Sequence, residues 1–475
     1  MTDKPDIVPY IGKDAFTGPD GFDFVRPSDG KVIGRIIEAG AAGVDAAVRV
    51  ADAAFATSRK APVHQRVTWL KAAAAALTQS ADEIAALICE DVGKPIRSCR
   101  FEVKRGAEFL EACAAALPQI NGEVLPLDST APGVGHLGLT RHSPYGVVAG
   151  ITPFNAPVNL LVQKVGPAIA AGNAIITKPA PAGTRTALKL AALFEAAGSP
   201  TGLFTVLTGD KPTASALAAH PTVRAVSFTG STAGGEALAR AAGAKKFVAE
   251  LGSNAANIVL ADADIDDAAK RIASAAFEAS GQQCISAQRV LVHASVFDRF
   301  VTQFVTAAKT LKAGPAEDPQ TDLGPMVSRA AADRVMAVCT DAIAAGARYA
   351  LEPKQDRALV TPGILRDVPQ SARLWQEEIF GPIALVKAFD TVDEALALAN
   401  DSPFGLQGSV FTRDIGTAFR FADDFDVGAL WINEASRFRL DLYPFGGVKQ
   451  SGVGREGVRY AIEEMSQLRF VGIRT

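Results

Sequence analysis

The sequence predicts an α/β protein built around two sheet regions, and three observations carry that prediction. Between residues 145 and 260, short apolar runs (GVVAGI, NAIITK, LFTVLT, AVSFTG and FVAELG) alternate with helical stretches, the pattern of βαβ units and a parallel sheet. A second alternation of helix and strand begins near residue 266. The length, 475 residues, exceeds one ordinary core and suits two or three domains.

In chain order, residues 43–118 read as long helices, because alanine-rich segments such as KAAAAAL favour helix and GKP (Gly93, Lys94, Pro95) interrupts them. The apolar runs between 145 and 260 have strand length and are separated by helix-length stretches. The second unit reads as a helix over 266–279, a strand at 289–293, a long helix over 296–312 and strands near 383–389 and 408–412. Proline- and glycine-rich stretches at 126–135, 313–325 and 361–363 are connections, and no solenoid-type repeat is present.

Composition excludes several classes. With 48% hydrophobic and 21% charged residues the chain reads as an ordinary soluble protein, and a net charge of −3 offers no basic face for nucleic acid. The five cysteines form no CxxC pair and no Cys/His cluster of zinc spacing, so no metal site is expected. Their odd number argues against a secreted disulfide framework and for a reducing cytoplasm. The segment MTDKPDIVPYIGKDAF lacks the basic-then-apolar order of a signal peptide. The longest uncharged stretch, 142–163, contains Pro144, Pro153 and Pro157 and reads poorly as a membrane helix.

The chemistry is concentrated in three places. FEASGQQCISAQR sets Cys284 among small and polar residues after an alanine-rich helical stretch. VAELGSNAANIV puts Glu250 at the end of an apolar run, and GVVAGITPFNAPVN does the same for Asn155, between Pro153 and Pro157. A lone cysteine is more often structural. A thiol, a carboxylate and an amide, each at a strand end or loop, suit covalent carbonyl chemistry. Gly452, Gly454 and Gly457 stand at GxGxxG spacing, but the preceding PFGGVKQ is no strand, so a dinucleotide loop is not expected there.

In order along the chain, ITPFNAP, AGNAIITKPA, VSFTGST, VAELGS, GQQC, and EEIFGP followed by PFGGVKQSGVGREG resemble the motifs of the NAD(P)-dependent aldehyde dehydrogenase superfamily. The resemblance runs from about Gly30 to the C-terminus and is nearest to a lactaldehyde and phosphonoacetaldehyde dehydrogenase-like branch. It implies an aldehyde dehydrogenase fold: a Rossmann-like NAD(P)-binding domain (1–119 and 143–250), an α/β catalytic domain (251–455) and a small oligomerisation sheet (120–142 and 456–475) joining subunits into a homodimer or homotetramer. It implies NAD or NADP as cofactor and a small aldehyde as substrate, oxidised through a thiohemiacetal and a thioester on Cys284 that water hydrolyses. The Asn155 amide and the Cys284 N–H would hold the oxyanion, Glu250 would activate water, and Lys164 would support the proton path.

For the cofactor, Lys178 resembles the lysine that holds the adenosine ribose and Glu378 the acid that holds the nicotinamide ribose, with Phe380 beside the ring. Gly230 and Ser231 open a helix whose free N–H groups favour a pyrophosphate, and Gly235 would allow close approach. Thr152, Pro153, Phe154, Pro179, Ala180, Gly209, Phe228, Leu251 and Gly252 complete the implied cofactor set. Pro181 stands where NAD-preferring members carry a glutamate, which leaves NADP open, with Thr184 or Arg185 to assist it.

On the substrate side, Arg289, Arg439 and Arg105 resemble arginines that hold an anionic end, a task suited to guanidinium. Ala156 and Gln163 replace histidines of the phosphonoacetaldehyde pattern, which argues against phosphonate, and Phe445 completes the implied pocket. Two rival readings follow: a CoA-acylating semialdehyde dehydrogenase, against which Glu250 argues, and a non-catalytic nucleotide-binding or structural relative, against which the set of Cys284, Asn155 and Glu250 argues.

Overall fold

The computed structural model describes residues 4–12 and 14–475; residues 1–3 and 13 of the expected first domain lie outside the described residues. Four helices, Gly40–Ser58, Val63–Gln79, Ala81–Val92 and Ile96–Ala116, occupy the region read as helical, with the break at Gly93, which adopts φ +78° as the left-handed cap of the third helix. A sheet then runs, in spatial order, Gly452–Val453, Lys246–Glu250, Val223–Thr229, Val147–Thr152, Ala174–Pro179, Phe204–Val206, Tyr10–Ile11 and Asp14–Ala15. Its five central strands are parallel. Strand order reverses between Val147–Thr152 and Val223–Thr229, so the crevice beyond their carboxyl ends is where an open α/β sheet binds ligands. Asn155 follows one of these strands and Glu250 ends the strand next to the other.

The second sheet is ordered Arg348–Leu351, Gly363–Arg366, Ile383–Phe389, Arg289–His293, Ala256–Val259, Gln407–Phe411 and Ala429–Ile432, parallel except for its first pair. Alternate residues face opposite layers: Leu291 joins a core with Trp375 and Val335, while Val290 and Val292 join one with Phe300 and Phe304. The long helix expected over 296–312 is a short turn, Ala294–Val296, followed by a helix, Phe297–Lys309. The chain passes from Glu250 in the first sheet to Ala256 in the second within a few residues, so the end of one sheet faces the start of the other. Cys284 lies before its strand, on that shared boundary.

Ser466–Arg474 pairs antiparallel with His136–Pro144 along its whole length, and Val124–Leu125 adds a third strand. The helix Val458–Glu464, inside the expected oligomerisation segment 456–475, precedes that last strand and packs on the first core through Val458 and Ile462. A three-stranded sheet near the start, Asp6–Ile7, Val32–Ile37 and Gly21–Val25, has no counterpart in the sequence reading. Among the described residues no helix is long and apolar enough to cross a membrane, and no group of three or more His, Cys, Asp or Glu side chains is placed to hold a metal.

Candidate active site

A left-handed turn delivers Cys284. After the helix Ile265–Phe277, Ala279, Ser280 and Gly281 take φ of +52°, +56° and +65° in succession. Positive φ is costly for residues with a Cβ, and such strain collects at functional sites. The turn is held by Ser280 Oγ, which donates to the Gly324 carbonyl at 2.7 Å, and a Cβ at position 281 would lie 2.1 Å from the Gly381 carbonyl oxygen. Gln282 Oε1 accepts from the Val327 N–H at 3.0 Å. Of the five cysteines, Cys284 alone is half-buried while the others are buried. It packs against the cluster of Ile285, Leu406 and Phe445, as does Tyr443. Burial pushes its thiol up to about 12; the charge of Arg439 opposes this, and Glu378, Glu250 and Glu456 add to it.

Asn155 Nδ2 donates to the Gln282 carbonyl at 2.9 Å, which ties the amide to the turn that carries the thiol. Its own backbone is pinned from behind. Lys94 Nζ reaches both Glu102 Oε2 at 2.5 Å and the Asn155 carbonyl at 3.3 Å, while Glu102 Oε1 accepts from the N–H groups of Val158 and Asn159 at 2.8 and 3.3 Å. Both ends of this ion pair are buried. Neither residue was singled out from the sequence for a role; the GKP that held Lys94 read there only as a helix break.

Glu250 is 2% exposed and neither carboxylate oxygen has a hydrogen-bond partner among the described residues. Burial holds the carboxyl well above the ordinary range, Glu456 raises it further, and Arg439, Lys164 and Arg455 pull it back. Lys164, expected to support the proton path, is 1% exposed and donates to Ser227 Oγ at 3.0 Å and Glu456 Oε1 at 3.2 Å. Burial disfavours the charge on Glu456, but Lys164 and Arg439 outweigh it and hold the carboxylate below its usual value. Glu456 belongs to the GREG stretch, where only the glycines had drawn notice.

Arg439 Nη2 donates to Glu456 Oε2 and to Gln163 Oε1, both at 3.0 Å, and its guanidinium lies 3.6 Å over the Phe445 ring. Its Nε is buried without a hydrogen-bond partner among the described residues. Arg105 grips Asp441 with two bonds of 2.9 and 2.6 Å, and Gln163 Nε2 donates to the same carboxylate at 3.0 Å. The expectation for Arg289 is overturned. Arg289 is 2% exposed and donates to the carbonyls of Asn254, Leu398, Asp401 and Ala399 at 3.0, 2.9, 3.3 and 2.9 Å, with Trp375 stacked 5.5 Å away. Bound on all three nitrogens to main chain, it braces the second sheet and does not reach a substrate.

The opposite side of the crevice fits a dinucleotide. Lys178, 4% exposed at the end of its strand, makes no side-chain hydrogen bond or ion pair among the described residues, and burial lowers its ammonium to about 8 against the pull of Asp210 and Glu38. An unpaired buried ammonium is a donor waiting for oxygen acceptors. Ser231 caps the helix Thr232–Ala242 by accepting from the Gly234 N–H at 3.2 Å, and a Cβ on Gly230 would press within 2.5 Å of the Phe228 ring beneath it. Gly235 lies close against Leu251, where a Cβ would stand 2.4 Å away. Gly209 adopts φ +120° beside Glu38. The Thr152 carbonyl accepts from the Ala180 N–H at 2.7 Å, aligning the two loops that follow adjacent strands, with Pro153 and Pro179 flanking that bond. Glu378 Oε1 accepts from the Ser253 N–H at 3.0 Å; burial raises its carboxyl to about 7. A Cβ on Gly252 would stand 3.1 Å from Glu378 Oε2. Phe380 adopts φ +53° and meets Phe154 edge-on with centroids 5.9 Å apart. Thr184 is fully buried and Arg185 is paired with Glu90 and Asp91 at 2.6 and 2.9 Å, so neither stands free to receive a 2′-phosphate.

A family model described as "Aldehyde dehydrogenase family" matches residues 16–471. The chain belongs to the aldehyde dehydrogenase family. It is 40% identical to the 3-sulfolactaldehyde dehydrogenase of Priestia aryabhattai over 423 residues, 89% of each chain. It is 36% identical to the lactaldehyde dehydrogenase of Methanocaldococcus jannaschii over 454 residues, 94% of this chain and 96% of that one. Among solved structures, the NADP complex of glyceraldehyde-3-phosphate dehydrogenase from Methanocaldococcus jannaschii superposes with a TM-score of 0.92 at 35% identity, covering 97% of this chain and all of the other. The expected fold and the NAD(P)-dependent aldehyde dehydrogenase chemistry therefore hold for this chain. By their names these relatives act on a singly charged, a neutral and a phosphorylated aldehyde, so membership alone does not fix the substrate's charge.

Proposed function

We propose that this aldehyde dehydrogenase oxidises a small aldehyde with an anionic tail to its carboxylic acid, releasing the acyl group to water. The observation that carries the reading is a set of buried polar atoms without partners among the described residues, Asn155 Oδ1, both Glu250 oxygens and Arg439 Nε, on side chains that bond the turn before the half-buried Cys284 or act on its thiol by charge. Such atoms are costly in a fold and are kept where a ligand satisfies them. The Cys284 sulfur bonds the carbonyl carbon, and the oxyanion is met by Asn155 Nδ2–H and the Cys284 N–H; one such donor is worth ~2.7–4 kcal/mol of barrier. A bound NAD or NADP, which Lys178, the helix start at Ser231 and Glu378 would hold, would accept the hydride that leaves that carbon, so that the acyl group stays on sulfur as a thioester. Water then attacks the thioester carbon, Glu250 takes its proton, and the C–S bond breaks with that proton passing to the sulfur to return the thiol. A dry site makes the Glu250 carboxylate a stronger base than a solvated one.

Five free cysteines fit a reducing cytoplasm. The ribbon exposes Val124, Leu468, Phe470 and Ile473, which supports a homodimer or homotetramer. Rapid-mixing measurement of cofactor reduction tests the chemistry. Wild type should turn over without CoA, and Glu250→Gln should give one equivalent of reduced cofactor per site followed by a steady state slower by about a hundredfold or more. Fast steady-state turnover in Glu250→Gln, or a strict need for CoA, would overturn the hydrolytic reading.

A further inference from the structure

The arginines of the pocket do not stand free in equal measure. Arg105, on the helix Ile96–Ala116, has its Nε and Nη2 on the two oxygens of Asp441. Gln163 bridges the pair to Arg439, donating to Asp441 and accepting from Arg439. Arg439 reaches Asp441 only at 3.9 Å, shares Glu456 with Lys164, and makes no hydrogen bond through Nη1 among the described residues. Of the other cations nearby, Arg437 is paired with Glu278 at 2.6 Å, and Arg455 donates to the Gly447 and Gly454 carbonyls. Three linked cations, Arg105, Arg439 and Lys164, thus bond two carboxylates, Asp441 and Glu456, while Glu250 lies in the same enclosure with no bonded partner among the described residues. Because Glu456 is shared by Lys164 and Arg439 while Asp441 holds Arg105 alone, one of these three positive charges lacks a bonded carboxylate of its own. It resides on the guanidinium that stacks on Phe445, the ring packed beside Cys284.

We propose that Asp441 sets the charge of the substrate: by holding Arg105 it leaves the single guanidinium of Arg439 for the tail of the aldehyde, so the site takes a carboxylate or sulfonate and discriminates against a doubly charged phosphonate or phosphate. The inference rests on the reading of this cleft as the site of an anionic aldehyde. A second negative charge on the tail would meet Asp441 with no cation to offset it, and burying an unmatched charge is costly. Gln163 adds to the selection, since its amide is engaged at both ends.

The test uses the wild-type enzyme first. A phosphonate gains its second charge near neutral pH, roughly between 6 and 7, whereas a sulfonate keeps one charge throughout. The ratio of kcat/KM for a phosphonate-tailed aldehyde to that for the sulfonate of equal length, measured from pH 5.5 to 8.5, should fall up to tenfold per unit above that ionisation. Titrations of the enzyme cancel in the ratio. Asp441→Asn should free Arg105 and raise the ratio at pH 8.5 at least tenfold. A ratio that follows pH in neither direction, or one that Asp441→Asn leaves unchanged, would overturn the assignment. Equal kcat/KM for a neutral aldehyde of matched size would instead bring down the anionic reading of the cleft. If Asp441→Asn fails to fold, the wild-type pH series decides alone.

Discussion

Arg289 and Arg439 sit in the same half of the molecule and are both largely removed from water, yet their surroundings are opposites. Around Arg289 the guanidinium, four main-chain carbonyls and the Trp375 ring satisfy one another. Around Arg439 the polar atoms outnumber their partners: its own Nε, Asn155 Oδ1 and the Glu250 oxygens are buried and unbonded among the described residues. A saturated charge of the first kind works as an internal brace, because main-chain carbonyls that it leaves would each lose a bond worth about 1–3 kcal/mol when buried. An under-bonded charge of the second kind stores the same cost in the resting protein, and a ligand or transition state can recover it. Burial alone therefore does not separate scaffold from site; hydrogen-bond saturation does.

The largest effect should come from the under-bonded region. Cys284→Ala removes the atom that forms the covalent bond, and aldehyde-dependent cofactor reduction should fall by at least about ten-thousandfold; measurable turnover above that floor would break the comparison at its centre. Next, Arg439→Met and Arg289→Met should part ways. Arg439→Met should lower kcat/KM for an anionic aldehyde by about a hundredfold, equivalent to ~2.7 kcal/mol, with a small change in melting temperature. Arg289→Met should lower the melting temperature sharply while its folded fraction keeps the wild-type preference between charged and neutral aldehydes. If the two variants behave alike, saturation is not the distinguishing property.

A smaller effect is expected at Glu102, which braces the loop of Asn155 from behind. Glu102→Gln should reduce kcat about tenfold with little change in the KM for cofactor, and the loss should vanish in an Asn155→Ala background, since the acid acts only through that amide. Additive losses would mean a general packing defect. The smallest effect concerns Glu378. Its carboxyl rises from the ordinary 4.5 to about 7, so the folded state keeps a proton that the unfolded chain releases. The stability this contributes is complete below about pH 4.5 and is lost as the pH climbs through about 7. Melting curves at pH 5 and pH 8 should show Glu378→Gln gaining a few degrees relative to wild type at the higher pH; a constant difference would place the carboxyl in water.

What could be read from the chain followed range. The five parallel strands of the first sheet, the strands near 289–293, 383–389 and 408–412 of the second, and the helices before Gly93 rest on local apolar patterning, which a few consecutive residues carry, and the structure has them close to the expected positions; the other four strands of the second sheet were not foreseen. The residues Cys284, Asn155 and Glu250 announce themselves by short neighbouring motifs at strand ends. The ionic lattice is a different matter. Arg105 meets Asp441 across 336 positions and Lys164 meets Glu456 across 292, and no local pattern links them. Arg289 misled for the same reason: AQR at the start of a strand says nothing about where a long side chain ends. The strands Asp6–Ile7 and Gly21–Val25 are short, broken by turns and only partly buried, which left them without a periodic signal.

The turn before Cys284 has a consequence for anyone who would harden this protein against heat. Ala279 holds φ +52° at roughly 1–2 kcal/mol above what glycine would need, so a random library screened at rising temperature should collect glycine at that position early. Each such clone would also gain freedom in the hinge on which the thiol is mounted, and robustness would come with a blunter enzyme.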